Sequence, residues 1–115
     1  MINSAILEKR TSESIQYDFN CSFLLDSGEV ITGTPVLSAD QQGLVFGSPS
    51  VNAQAINYDD GTIAAIGKVI QVRVSGGLIP SGQTSQIYTI RAIFSTSTGN
   101  TREATVLLNI TNLVR

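Results

Sequence analysis

The sequence predicts an all-β fold, an antiparallel sandwich of about seven strands, and three observations predict it. From Gln86 to Ser95 the apolar residues Tyr88, Ile90, Ala92 and Phe94 fall at every second position. From Thr101 to Asn112, Ala104, Val106, Leu108 and Ile110 do the same. Period-two spacing sends alternate side chains to opposite faces of a sheet. Ser97-Thr98-Gly99-Asn100 separates the runs, and a Gly-containing turn between two such runs makes an antiparallel hairpin. Turn signals also recur along the chain, at Asp26-Ser27-Gly28, Asp40-Gln41-Gln42-Gly43, Asp59-Asp60-Gly61, Ser75-Gly76-Gly77 and Pro80-Ser81-Gly82, while no segment sustains a helical period.

The elements follow in order. Ser14 to Asn20 is the first strand, with Ile15, Tyr17 and Phe19 on one face. Val30 to Ser38 is the second, where Gly33 and Pro35 predict a bend or an edge position. Leu44 to Gly47 is a short third. Val51 to Tyr58 is the fourth, its register blurred because Val51, Ala53 and Ala55 are offset from Ile56. Lys68 to Ser75 is the fifth, with Ile70, Val72 and Val74 inward and Gln71 and Arg73 outward; the hairpin supplies the sixth and seventh. Residues 1–12 are an N-terminal arm or an extra strand ahead of one domain at 13–115.

Composition bounds the function. Apolar residues make up 42% and charged residues 14%, which excludes a disordered chain and leaves a low-charge surface of Ser, Thr, Asn and Gln that suits either close packing against neighbouring copies or a merely uncharged soluble domain. The net charge is −2 and the basic residues are scattered, so no nucleic-acid partner is expected. Cys21 is the single cysteine, which rules out an intrachain disulfide; between Phe19 and Phe23 it reads as a small buried hydrophobe. No apolar h-region follows Met1 and no membrane-length apolar run occurs, so no membrane partner is expected. Synthesis and retention in a reducing cytosol, or exit by a route other than secretion, is the expectation.

The chain is poorly equipped for chemistry. It has no His, so neither a Ser-His-Asp nor a Cys-His constellation can be built, and Cys21 alone cannot make a zinc site. No phosphate-cradling glycine motif occurs. No enzyme activity, cofactor or small-molecule substrate is expected. Asp59-Asp60-Gly61, with Asp40, is the densest acidic feature; it reads as a turn in preference to a calcium site, because no further oxygen ligands fall at regular spacing. Asn20-Cys21-Ser22 and Asn109-Ile110-Thr111 match the glycosylation pattern but carry no weight without a signal peptide.

Tyr88 stands at the start of the sixth strand, six residues after Gly82. In immunoglobulin-like sandwiches a tyrosine there keeps its ring in the core while its hydroxyl bonds the upstream backbone. Tyr88 reads either as that tyrosine corner or as an ordinary inward aromatic.

A wider likeness runs from Ser14 to Thr111. It comprises Ser14-x-x-Tyr17-x-Phe19, Leu24-Leu25, Gly28-Glu29-Val30-Ile31, Gly43-Leu44-Val45, Val72-x-Val74-Ser75-Gly76-Gly77, Tyr88-Thr89-Ile90, Ser95-Thr96-Ser97-Thr98-Gly99 and Ala104-Thr105-Val106-Leu107-Leu108-x-Ile110. In this order the segments resemble the small immunoglobulin-like proteins and domains of tailed-bacteriophage virions. Asn100-Thr101-Arg102 departs from the pattern, which often has Arg directly after Gly, so a longer turn is expected. The resemblance implies an immunoglobulin-like virion structural protein attached to the capsid, head-to-tail connector or tail. It would be made in the bacterial host cytoplasm, present in multiple copies and bound to other virion proteins. Gly33, Pro35 and the arm are the candidate contacts for that role. The alternative is a module recognising a host glycan or receptor through the loops Tyr58–Thr62 and Gly76–Gln83, with Tyr58, Asp59, Asp60, Gly76 and Gly77 as candidate contacts. That reading is disfavoured because Trp is absent and Tyr58 is the only aromatic in those loops.

Overall fold

The computed structural model describes residues 6–112. Ten strands occur among them: β1 (Leu7–Lys9), β2 (Ile15–Asn20), β3 (Ile31–Ala39), β4 (Leu44–Phe46), β5 (Ser50–Val51), β6 (Ile56–Asn57), β7 (Ile63–Ala64), β8 (Val69–Gly76), β9 (Ser85–Thr96) and β10 (Thr101–Thr111). A short 3-10 turn at Ser22–Leu24 follows β2.

One sheet runs β1-β10-β9-β3 and the second β2-β8-β4, with β5 also on β8. Counting β2, β3, β4, β8, β9 and β10 as B, C, D, E, F and G, the sheets are C-F-G and B-E-D, the immunoglobulin-like arrangement. The inner faces meet in one core. Phe19, Ile70, Val72 and Val74 come from one sheet, and Tyr88, Ile90, Phe94, Leu108 and Ile110 from the other.

The predicted hairpin is the longest feature. β9 and β10 pair in unbroken register from Ser85↔Thr111 to Ser95↔Thr101. The four-residue turn closes with Gly99 N–H donating to the Thr96 carbonyl at 3.0 Å and Thr96 N–H to the Asn100 carbonyl at 2.9 Å. Alternation buries Tyr88, Ile90, Ala92 and Phe94 and turns Ile87, Arg91 and Ile93 outward.

The strand count of about seven is corrected to ten, for local reasons. Leu7–Lys9 is an extra strand, and it pairs with Leu108–Ile110 in parallel, so the body is not wholly antiparallel. Of the rest of the predicted arm, residues 1–5 lie outside the described residues, and Arg10–Ser12 leave the sheet in a turn closed by Glu13 N–H donating to the Arg10 carbonyl at 3.1 Å. The predicted strand Val51–Tyr58 splits into β5 and β6, and β6 pairs with the unforeseen β7. The cause is Asn52, which is buried between them. Its Oδ1 accepts from Lys68 N–H at 3.0 Å and Val69 N–H at 2.9 Å, and its Nδ2 donates to the carbonyls of Gln54 at 2.8 Å and Ala65 at 3.0 Å. One amide side chain replaces four ladder bonds, so the chain can leave the sheet at 53 and return at 67 with its buried polar groups satisfied.

Candidate functional site

The sequence-derived candidates do not converge. Tyr58, Asp59 and Asp60 lie in the excursion that leaves β8 at its Val69 end, whereas Gly76 and Gly77 lie at the other end of the same strand. No single loop surface contains both groups. Tyr58 is half-buried, its hydroxyl enclosed and without a hydrogen-bond partner among the described residues. Burial raises its pKa, and Asp18 and Asp60 add to the rise. Asp60 closes a local turn, its carboxylate accepting from Thr62 N–H at 2.9 Å and Thr62 Oγ1 at 2.7 Å, and these bonds lower its pKa. Asp40 accepts from Thr89 N–H at 2.9 Å at the far end, remote from Asp60. Among the described residues no group of three acidic, Cys or His side chains is placed to hold a metal ion.

On β3, register shifts between Thr32 and Val36; Gly33 sits exposed in that irregularity with φ +70°, while Pro35 is buried and offers no surface. β3 is an edge strand, as Gly33 and Pro35 predicted, and its bulge interrupts the ladder a further strand would need.

Tyr88 occupies a corner. Its ring is 1% exposed; its hydroxyl accepts from Leu78 N–H at 2.8 Å and donates to the Gln42 carbonyl at 2.9 Å. Gly76 and Gly77 serve this corner. Both have positive φ, at +76° and +111°, and Gly77 N–H donates to the Gly43 carbonyl at 2.9 Å. A Cβ at Gly76 would stand 2.5 Å from the Gly43 oxygen, and one at Gly77 2.9 Å from Ile110 Cδ1. The pair therefore turns the chain so that Leu78 presents its N–H to Tyr88.

A polar hub missed by sequence reasoning lies at the opposite end. Glu29 is fully buried. Its Oε2 accepts from the hydroxyls of Thr96 and Thr98 and from Asn100 Nδ2 at 3.1 Å; its Oε1 accepts from Asp26 N–H at 2.9 Å. Arg102 approaches to 4.0 Å. The Thr96 and Thr98 bonds lead the effects that hold its pKa down to about 2. No local pattern signals this hub, because Glu29 and its partners in the Thr96–Asn100 turn stand about 70 positions apart in the chain. Cys21, buried nearby in sequence, has its thiol pushed up to about 12 by burial.

The remaining feature is the outer face of β3, β9 and β10. Val36, Ile87, Ile93 and Leu107 are exposed there, and Val36 pairs directly with Ile93. Between them Arg91 donates to both Glu103 oxygens, at 2.8 and 3.1 Å, which raises the Arg91 pKa and lowers that of Glu103.

No protein-family model, curated protein or solved structure matches the chain at a significant level.

Tyr88→Phe should cost about 1–2 kcal/mol in urea denaturation, because it strands the Leu78 N–H and the Gln42 carbonyl; unchanged stability would deny the corner its role. Glu29 has a folded-state pKa of about 2 against an ordinary 4.5, so its contribution is complete above 4.5 and disappears as pH falls toward 2. Glu29→Gln should therefore melt lower than wild type at neutral pH, and the gap should narrow as the pH is lowered through that window. A gap independent of pH would contradict the assignment.

Proposed function

We propose that this chain is a non-enzymatic structural component of a tailed-phage virion: an accessory immunoglobulin-like protein on the head, head-to-tail connector or tail that binds other virion proteins. The observation carrying this reading is the ordered series of segments from Ser14 to Thr111 that resembles such proteins. The all-β sandwich is compatible with it, as is an outer sheet face that exposes Val36, Ile87, Ile93 and Leu107. The buried polar side chains Lys9, Glu29 and Asn52 are bonded within the fold, Lys9 Nζ to the Arg10 carbonyl at 2.6 Å and Glu29 and Asn52 to the loops they hold. The glycan or receptor alternative gains no support, because its two loops lie at opposite ends of β8 and Tyr58 is turned inward.

Purified particles from a host carrying this gene should contain the chain at a fixed stoichiometry by mass spectrometry, with matching density in electron micrographs of the particle. Particles lacking it throughout assembly would refute the proposal.

A further inference from the structure

β1 is weakly held for a strand that lies against the core. It is three residues long, stands at the edge of its sheet and pairs with β10 in parallel, which is less stable per residue than antiparallel pairing. It also brings a charge to an inward position. Lys9 stands beside Ile110 and is 1% exposed. Among the described residues no carboxylate comes within ion-pair distance of it. Its Nζ donates to the Arg10 carbonyl at 2.6 Å, and Glu13 acts on it only through space, so desolvation prevails and lowers its pKa. A buried cation without a carboxylate beside it favours any state that returns it to water.

The bonds around β1 sort by what undocking would break. Three lie wholly within residues 9–13 and travel with the segment. They are Lys9 to the Arg10 carbonyl, Arg10 N–H to Glu13 Oε1 at 2.7 Å and Glu13 N–H to the Arg10 carbonyl at 3.1 Å. The turn after β1 is therefore a hinge that keeps its own shape. Bonds that cross to the body include Tyr17 hydroxyl to the Glu8 carbonyl at 2.7 Å and Thr11 Oγ1 to Asn112 Oδ1 at 3.2 Å, both exposed.

What β1 covers follows from the hairpin. Thr96 N–H donates to the Asn100 carbonyl and Asn112 N–H to the Thr84 carbonyl, so the even-numbered residues of β10 bond across to β9. The odd-numbered ones turn N–H and C=O the other way. Asn109, aligned with Glu8, thus offers both groups to β1. An uncovered sheet edge of this kind accepts an extended strand. We propose that β1 is a releasable strap, which swings out on the Arg10–Glu13 turn, returns Lys9 to water and uncovers the β10 edge at Asn109. The device does not depend on the virion reading.

Native-state hydrogen exchange of the full chain across a urea series tests it. Leu108 and Ile110 face β9 and Asn109 faces β1, so three adjacent amides report on two different contacts. Asn109 should exchange at least about tenfold faster than either neighbour, with almost no urea dependence, as local opening does. Lys9→Met keeps the buried stem and removes the charge, and should slow Asn109 at least about tenfold. Tyr17→Phe frees the Glu8 carbonyl and should quicken Asn109; it decides the matter if Lys9→Met folds poorly. Asn109 exchanging in step with Leu108 and Ile110 at every urea concentration would overturn the proposal. So would an Asn109 rate that neither variant changes, or one that Lys9→Met quickens.

Discussion

The register of β9 against β10 is the constraint on which the rest of the molecule depends. Because side chains alternate, a slip of one residue would expose Tyr88, Ile90, Ala92 and Phe94 and bury Arg91 with Ile87 and Ile93. The correct register creates both surfaces at once: an inner face that meets Phe19, Ile70, Val72 and Val74, and an outer face on which Ile87, Ile93 and Leu107 lie beside the Arg91–Glu103 ion pair. Burying the inner face supplies the stabilisation, and the unwelcome alternative fixes the pairing.

Apolar burial does not determine how the ends close. Three polar side chains do that, each at a place where the chain leaves the ladder. Glu29 stitches the loop before β3 to the β9–β10 turn through Thr96, Thr98 and Asn100, beside a backbone bond from Ser97 N–H to the Val30 carbonyl at 2.8 Å. Asn52 carries the excursion away from β8. Tyr88 pins the opposite corner. Each is buried, and each has partners for the groups it buries, which is the condition for a buried polar group to stabilise rather than cost.

Legibility in the sequence followed the same division. Where one face is buried and the other solvated, as in β9, β10 and β8, the period of two was plain and the inward residues were named correctly. It failed at Val51–Tyr58, because Asn52 performs by side chain what a strand performs by backbone, and no apolar pattern reports that. It also missed Ile63–Ala64, which is too short to show a period. Leu7–Lys9 was readable as strand or arm because a three-residue segment beside β10 has no alternation to display. The glycines at 76 and 77 stood out as a turn, but their reason, the approach of Leu78 to Tyr88, depends on a contact made across the fold. The role of Glu29 depends on partners in the Thr96–Asn100 turn that only the fold brings to it.

The β9–β10 hairpin is the element around which the two sheets of this sandwich are organised. Native-state hydrogen exchange tests that account most directly. β8 and β9 are flanked by partners on both sides, β8 by β2, β4 and β5, and β9 by β10 and β3. Amides from Val69 to Val74 and from Tyr88 to Ile93 should exchange slowest, with free energies equal to that of global unfolding, while residues 53–66 exchange by local opening. Exchange in β9 as fast as in the excursion would contradict the claim that this hairpin organises the fold.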